Sequence, residues 1–392
     1  MRIALHHNLP TGGGKRALYE RVARLVKDHT VDLFRFDSTA EEFMDLTQLV
    51  HGVYTFRANL PGSTGYNFPA KLIVLQRIRN ASQKMAEAIN KGRYDLAFVN
   101  NCRHIKCPML LRYLKIPSVL YCEEPLRRFY EPIPLASASF REKLDRSITA
   151  ANLLLKKVDA TNARSATTIL TNSRYTRESI YRAYGVWATV NSPGIDVERF
   201  RPLGMPKHNK VLSVGRIHPY KGHEFVVVAL GHVSEKIRPE LVIAFDQGEP
   251  AQQQALIELG KRNGVRVTCC SVSPSEMPRL YNEAKLTLFA NIFEPLGLGP
   301  LESMACGTPV VGVREAGIRE TVLHGVTGLL TERDPEEFAR SVQLLLTDGA
   351  LLRTLGERGP EHIQKHWTWE RSCAQLVDYM RILLESQSRR AI

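Results

Sequence analysis

The chain has 392 residues, 44% hydrophobic and 24% charged, the balance of a soluble globular protein in two domains of roughly 150–200 residues each. The longest apolar runs, such as 151–155 and 225–230, fall far below the ~20 residues that span a bilayer, and neither low-complexity tracts nor short repeats occur. The formal charge of +13 is one-sided: residues 1–200 carry 30 Lys and Arg against 18 Asp and Glu, residues 201–392 carry 23 against 22. A basic N-terminal half implies an anionic partner (membrane headgroups, a phosphorylated acceptor or nucleic acid) or is merely a soluble basic face.

The opening MRIALHHNLPTGGGKR has too short an apolar run for a signal peptide and no small-residue cleavage site, so export by that route is not expected. Seven cysteines, at 102, 107, 122, 269, 270, 306 and 373, form no CxxC pair and lie mostly in apolar stretches. Buried reduced thiols and a cytoplasmic location follow as the expectation.

In chain order, the first predicted strand covers 2–6. TGGGKR (11–16) follows it, ahead of a helix expected to begin near Lys15. Glycines there let the backbone turn sharply and leave N–H groups open at a helix start, a seat for phosphate or substrate oxygens, although a plain strand-to-helix turn would look the same. Further strands are predicted at 31–36, 53–57, 95–100 and 118–122. YCEEPLRRFYEP (121–132) follows the last of these; Glu123 and Glu124, then Arg127 and Arg128, suit an acceptor site, an acid/base role or a local salt-bridge cluster. Strands at 168–171 and 189–191 complete the first half.

Residues 199–210, RFRPLGMPKHNK, carry two prolines and a glycine and are taken as the linker. The second half repeats the pattern, with strands at 211–214, 241–245, 265–269, 286–290, 309–313 and 328–330. After its first strand comes VGRIHPYKGHE (214–224), in which Arg216 and Lys221 can clamp a diphosphate and neutralise a leaving nucleotide. FEPLGLGPLESMACG (293–307) places Glu294 and Glu302 on either side of Gly297 and Gly299. The amides near Gly297 and Leu298 open a helix and can take phosphate oxygens, while the two carboxylates hold sugar and ribose hydroxyls. The tail reads as an amphipathic helix over 367–388, with Cys373, Leu376, Val377, Met380, Leu383 and Leu384 on one stripe.

Strands apolar on both faces, alternating with helices, predict parallel sheets with right-handed crossovers. The pattern runs twice, giving two Rossmann-like, doubly wound α/β domains, 1–200 and 201–366, with ligands expected beyond the strand ends in a cleft between them. The twelve histidines show no metal-ligand spacing, so no metal is expected. His6, His7, His104 and His218 read as structural more readily than catalytic, with His104 kept as an acceptor-side residue.

Taken together, Gly12-Gly13, NSPGIDVERFRP (191–202), Gly215-Arg216 with Lys221-Gly222, the Glu294-x7-Glu302 block and MACGTPVVGVREAGIRETVLHGVTGLL (304–330) resemble glycosyltransferase family 4. The resemblance covers most of the chain and is densest from Asn172 to Leu330. It implies the GT-B fold, a retaining reaction and a nucleotide-diphosphate sugar as donor, UDP- or GDP-linked, with no further cofactor. By the same resemblance Arg216 and Lys221 bind the diphosphate, Glu294 the donor sugar, Glu302 the ribose, and Gly12 and Gly13 close over the donor. Gly215, Gly297 and Leu298 border it, and the base lies near Ser271-Val272. The C-terminal helix is expected to pack back on the first domain.

Two departures from the family pattern matter. Glu123 stands where many relatives carry a histidine, which makes it a catalytic candidate, with Glu124, Arg127, Arg128 and His104 on the acceptor side. Pro295 follows Glu294 in place of the commoner glycine and offers no N–H, so phosphate binding falls to the later amides. The implied mechanism is front-face substitution through an oxocarbenium-like transition state, the leaving β-phosphate acting as base.

The expected function is transfer of a hexose-type sugar to a glycan, lipid-linked or small-molecule acceptor. The rivals are a sugar-nucleotide epimerase and a degenerate scaffold that binds anionic surfaces; recognisable nucleic-acid motifs are absent. A peripheral position at the inner face of a membrane is a further expectation. In 69–85, Leu72, Ile73, Leu75 and Ile78 adjoin Lys71, Arg77 and Arg79, the makeup of an interfacial helix or of a buried one with snorkelling charges.

Overall fold

Seven short apolar runs in the first half form one parallel sheet: β1 (Arg2–Asn8), β2 (Thr30–Phe36), β3 (Gly52–Phe56), β4 (Leu96–Cys102), β5 (Ser118–Tyr121), β6 (Thr168–Thr171) and β7 (Thr189–Val190). In this computed structural model, which describes residues 1–62, 68–131 and 150–390, their order is β3-β2-β1-β4-β5-β6-β7. The second half forms another parallel sheet, of β8 (Lys210–Val214), β9 (Glu240–Phe245), β10 (Val267–Ser271), β11 (Leu286–Phe289), β12 (Val310–Val313) and β13 (Gly328–Thr331), ordered β10-β9-β8-β11-β12-β13. Each sheet starts at an inner strand, winds outward one way and then restarts on the other side, as a doubly wound sheet does.

Burial explains the choice of residues. Every residue of β4, β5, β11, β12 and β13 is buried, because helices cover both faces and β-branched side chains fill them. Strand β3 lies at the edge and exposes its centre, with Val53 and Tyr54 both over 40% accessible. Strand β10 begins two residues later than the apolar pattern suggests. Gly264 has φ +65° and the Val265 amide bonds back to the Gly260 carbonyl, so Val265 is spent on closing the preceding helix.

The chain divides into two compact units, Met1–Pro193 with Trp369–Ile392, and Gly194–Thr368. The 199–210 segment, taken as a linker from its prolines, is tied into the second unit. Asn282 accepts from the Leu203 amide and donates to the Arg201 carbonyl, and Lys207 Nζ reaches the Asn282 and Ala284 carbonyls and Thr308. These bonds hold it as firmly as a helix cap would.

The last helix, Trp369–Arg390, belongs to the first unit. Its stripe of Leu376, Met380 and Leu383 shares a core with Ile3, Leu5, Leu18 and Tyr121, each fully buried aliphatic side chain contributing about 1.5–3 kcal/mol. Asn191 and Ser372 fasten it further, through Asn191 Nδ2 to the Ser372 carbonyl at 2.9 Å and Ser372 Oγ to the Ser192 carbonyl at 2.7 Å.

Candidate functional site

In the second unit, β8 ends at Val214, and a turn carries Gly215 and Arg216 to the 3-10 segment Pro219–Lys221 before helix His223–Gly231. His223 pins that turn from below. Its ring is hydrogen-bonded to Ser213 Oγ at 2.9 Å and lies 3.2 and 3.3 Å from the Gly215 and Arg216 carbonyls. Burial drives its pKa down to about 4, so a neutral imidazole donates to those carbonyls from Nε2. Arg216 is thereby fixed at its backbone, while its side chain makes no hydrogen bond or ion pair among the described residues.

Two loops meet at Glu294. Its Oε2 accepts from Lys221 Nζ at 2.8 Å and from Asn291 Nδ2 at 2.6 Å. The loops are joined at the backbone too, by the Ile292 amide on the Tyr220 carbonyl at 2.8 Å. From the other side the Gly317 amide holds the Glu294 carbonyl at 3.0 Å. Phe293 and Ala316 sit at φ +49° and +50°, a left-handed conformation that costs a non-glycine residue about 1 kcal/mol or more and that a functional loop tolerates. Arg333 keeps the loop in place: it grips both oxygens of Glu315 at 2.7 Å and donates to the Ala290 and Asn291 carbonyls.

Beyond this loop Gly297, at φ +91°, opens helix Leu298–Ala305, so the amides at the start of that helix are available to anionic oxygens. Glu302, one turn in, is 4% exposed and accepts from the Tyr281 hydroxyl at 3.0 Å. Val272 continues past β10, its amide on the Phe245 carbonyl at the end of β9. Arg216, Lys221, Glu294, Gly297, Leu298, Glu302 and Val272 therefore all lie just beyond the carboxyl ends of strands in one sheet or on the helices that follow.

In the first unit the glycine loop follows β1. Gly12 has φ +137°, and helix Gly13–Leu25 starts two residues earlier than Lys15. A Cβ at Gly14 would run into the carboxylate of Glu123, whose Cδ lies 3.0 Å from that position, so the glycine makes room for the acid rather than for a turn. Asn101 accepts from the Glu123 amide and Asn172 donates to its carbonyl. Burial raises the Glu123 pKa, against the pull of the Arg21 charge. Arg21 is fully buried, donates to the Tyr121 hydroxyl, and that hydroxyl donates to the Asn191 carbonyl.

Glu124 pairs with Lys106 and with Arg127, Arg127 with Glu131, and Glu131 accepts from the Tyr175 hydroxyl. The local salt-bridge alternative thus describes Glu124 and Arg127 in this structure, and Arg128 lies over the Phe129 ring. His104 is held neutral at a pKa of about 4, by burial and then by Arg103.

Residues 195–362 match the family described as glycosyl transferases group 1. The second unit is a group 1 glycosyltransferase domain. A D-inositol 3-phosphate glycosyltransferase of Thermobispora bispora is 32% identical over 231 residues, 54% of each chain. One from Streptomyces bingchenggensis is 28% identical over 242 residues, 55% of this chain and 52% of that protein. The chain thus spans about half the length of the curated relatives it matches. Sucrose-phosphate synthase from Thermosynechococcus elongatus superposes with a TM-score of 0.76 at 21% identity, covering 98% of this chain and 99% of that one. Anabaena HepE in complex with UDP and glucose gives 0.71 at 18%, covering 97% and 99%. These likenesses establish the expected GT-B fold of two parallel-sheet α/β domains.

The group 1 glycosyltransferase domain contains supports that reading the sequence missed. Asn291, Tyr281, His223 and Arg333 reach the site only through hydrogen bonds between loops far apart in sequence. In the first unit the same holds for Glu41. Its carboxylate takes Lys15 Nζ at 2.5 Å and His7 Nε2 at 2.8 Å. His7 Nδ1 accepts from the Leu9 amide, so Nε2 carries the proton and donates to Glu41. Burial favours the protonated acid, but the hydrogen bonds from His7 and Lys15 and the charge of Lys15 prevail and bring Glu41 to about 2. The glycine loop before Lys15 reads as a seat for phosphate or substrate oxygens, and nothing in it marks a buried carboxylate partner.

Proposed function

We propose that this protein is a retaining glycosyltransferase that moves a hexose-type sugar from a nucleotide-diphosphate sugar, UDP- or GDP-linked, to a glycan, lipid-linked or small-molecule acceptor. The observation that carries the reading is the junction at Glu294, where one carboxylate oxygen takes both Lys221 and Asn291 on two tied loops. Such a site presents fixed cations and a fixed carboxylate side by side, which suits a donor whose sugar hydroxyls and diphosphate lie a few ångströms apart. HepE, the fold neighbour solved with UDP and glucose, supports this donor class, and the D-inositol 3-phosphate glycosyltransferases at 28–32% identity support glycosyl transfer.

In this reading Arg216 and Lys221 hold the diphosphate and stabilise the charge that grows on it as the glycosidic bond breaks. The amides at Gly297 and Leu298 share that charge. Glu294 holds sugar hydroxyls and Glu302 the ribose, with Val272 beside the base. The acceptor hydroxyl attacks the anomeric carbon on the face the nucleotide leaves, its proton passes to the departing phosphate oxygen, and the anomeric configuration is kept. Glu123, whose carboxylate fills the space beside Gly14, is the catalytic candidate of the first unit in this reading.

The test is a thermal-shift and hydrolysis screen with UDP-, GDP- and ADP-sugars, with and without magnesium, beside Arg216→Ala/Lys221→Ala. One nucleotide sugar should stabilise the protein and fail to stabilise the variant. No response to any of them would sink the reading. NMR of the product from the responding donor checks retention, and an inverted anomer would refute the front-face mechanism alone.

A further inference from the structure

Helix Phe68–Lys91 and helix Ala150–Arg164 pack beside each other in the first unit, with the short turn Met109–Arg112 between them. A groove of about 530 Å³ runs along the seam, floored by Leu75, Met109 and Val158. Its walls leave large aliphatic side chains in water, Leu72 at 40% exposed, Ile73 at 54% and Leu154 at 39%, and Leu153 beside them is 56% exposed. Burying such side chains is worth about 1.5–3 kcal/mol each, so four of them exposed on neighbouring turns have no account in the packing of the described residues of the first unit.

Charge around the groove has one sign. Arg79 and Arg112 line it, and no acidic side chain among the described residues does. Lys156 and Lys157 stand on the next turn of the second helix, where Lys156 also covers the Tyr130 ring, and Lys71 reaches across to Asn152. These residues belong to the half of the chain that holds nearly all of the basic surplus, 30 cations against 18 anions. No helix among the described residues is long and apolar enough to cross a membrane, so the face suits contact with a bilayer surface rather than insertion through it.

The place of the groove is informative as well. Each contributing helix precedes a strand and runs antiparallel to it, so its first half lies toward the carboxyl edge of the sheet. Residues 72–79 and 154–157 are in those first halves, and Met109 follows the carboxyl end of β4. Gly14 and Glu123 lie at the same edge, beyond β1 and β5.

We propose that this two-helix face docks on an anionic bilayer, with the exposed leucines and isoleucine among the acyl chains and the arginines and lysines on phosphate headgroups. It follows that the acceptor is lipid-linked and is presented by the same bilayer. That last step rests on the transferase reading; the docking does not.

The experiment uses the full chain with phosphatidylcholine vesicles, with and without phosphatidylglycerol, at low and high salt. Co-sedimentation is expected with the anionic vesicles, weakened by salt and far weaker with phosphatidylcholine alone. Arg79→Glu/Arg112→Glu/Lys157→Glu should lower the affinity by about a hundredfold, since each cation near an anionic surface is worth about a fivefold change. Ile73→Asp/Leu154→Asp should abolish binding while the melting curve and the nucleotide-sugar response stay those of the unmodified protein. Absence of vesicle binding, or variants that bind undiminished, would overturn the proposal. A dimer in light scattering that Ile73→Asp/Leu154→Asp dissolves would overturn it in favour of a self-interface. Should no nucleotide sugar bind while the vesicle results hold, the transferase reading fails and the docking face stands.

Discussion

The carboxylate of Glu123 occupies the space that a Cβ on residue 14 would take. The third glycine of the loop and the acid at the end of β5 are therefore one feature, joined across more than a hundred residues of sequence. The acid is the far end of a flexible side chain, so alanine at 14 displaces it at little cost to the fold. Gly14→Ala is expected to change unfolding free energy by under about 1 kcal/mol. It should lower transferase activity as much as Glu123→Ala does, and the double variant should be no worse than either. Multiplying losses in the double variant would show that the two residues act separately.

Removing the cations of the second unit should cost catalysis and spare stability. The Lys221–Glu294 pair is about a fifth exposed on each side and contributes under about 1 kcal/mol to folding. Arg216→Ala or Lys221→Ala should reduce turnover at least about a hundredfold, read from initial rates at saturating donor. Asn291→Ala, which frees one side of Glu294, should cost about tenfold. A large drop in melting temperature accompanying these losses would recast the residues as structural.

The buried trio of His7, Lys15 and Glu41 should behave in the opposite way. Lys15 is 1% exposed and Glu41's side chain 8%, so Lys15→Met strands a carboxylate and should destabilise the protein by about 3–5 kcal/mol in guanidinium unfolding. Lys15→Met/Glu41→Leu removes both charges and should regain most of that loss. Failure to regain it would mean that Lys15 matters for shape alone.

Acid should weaken the fold through its buried histidines. Burial holds His6 and His223 at about 4 in the folded state, against an ordinary value near 6.5. At these two positions the folded chain binds fewer protons than the unfolded one in that window, so their contribution to stability is full above pH 6.5 and is lost toward pH 4. Each histidine steepens the decline by about 1.4 kcal/mol per pH unit. His223→Gln, whose amide can still donate to the Gly215 carbonyl, should flatten the slope of melting temperature on pH. An unchanged slope would assign the effect to other groups.

The fold was legible because its strands are short, β-branched and apolar on both faces, a pattern few other architectures produce. Arg216, Lys221, Glu294 and Glu302 stand out as candidates for a related reason, since each lies within a few residues of such a strand's end or within the first turns of the next helix. What stayed hidden depends on distance through space. Nothing near Glu41 marks it as the partner of Lys15, and Asn282 gives no sign that it holds residues 201 and 203. The 199–210 segment has the composition of a linker and the hydrogen bonds of a packed loop, and composition does not report hydrogen bonds.

The first unit is interrupted. Leu376, Met380 and Leu383 complete a core begun at Ile3, with the whole of the second unit synthesised in between. On the ribosome the group 1 domain, which is continuous, can close as soon as Thr368 has emerged. The N-terminal sheet must wait with an open apolar face until Leu383 arrives. The half of the protein made first is therefore the half that folds last, and the one most in need of a chaperone while it waits.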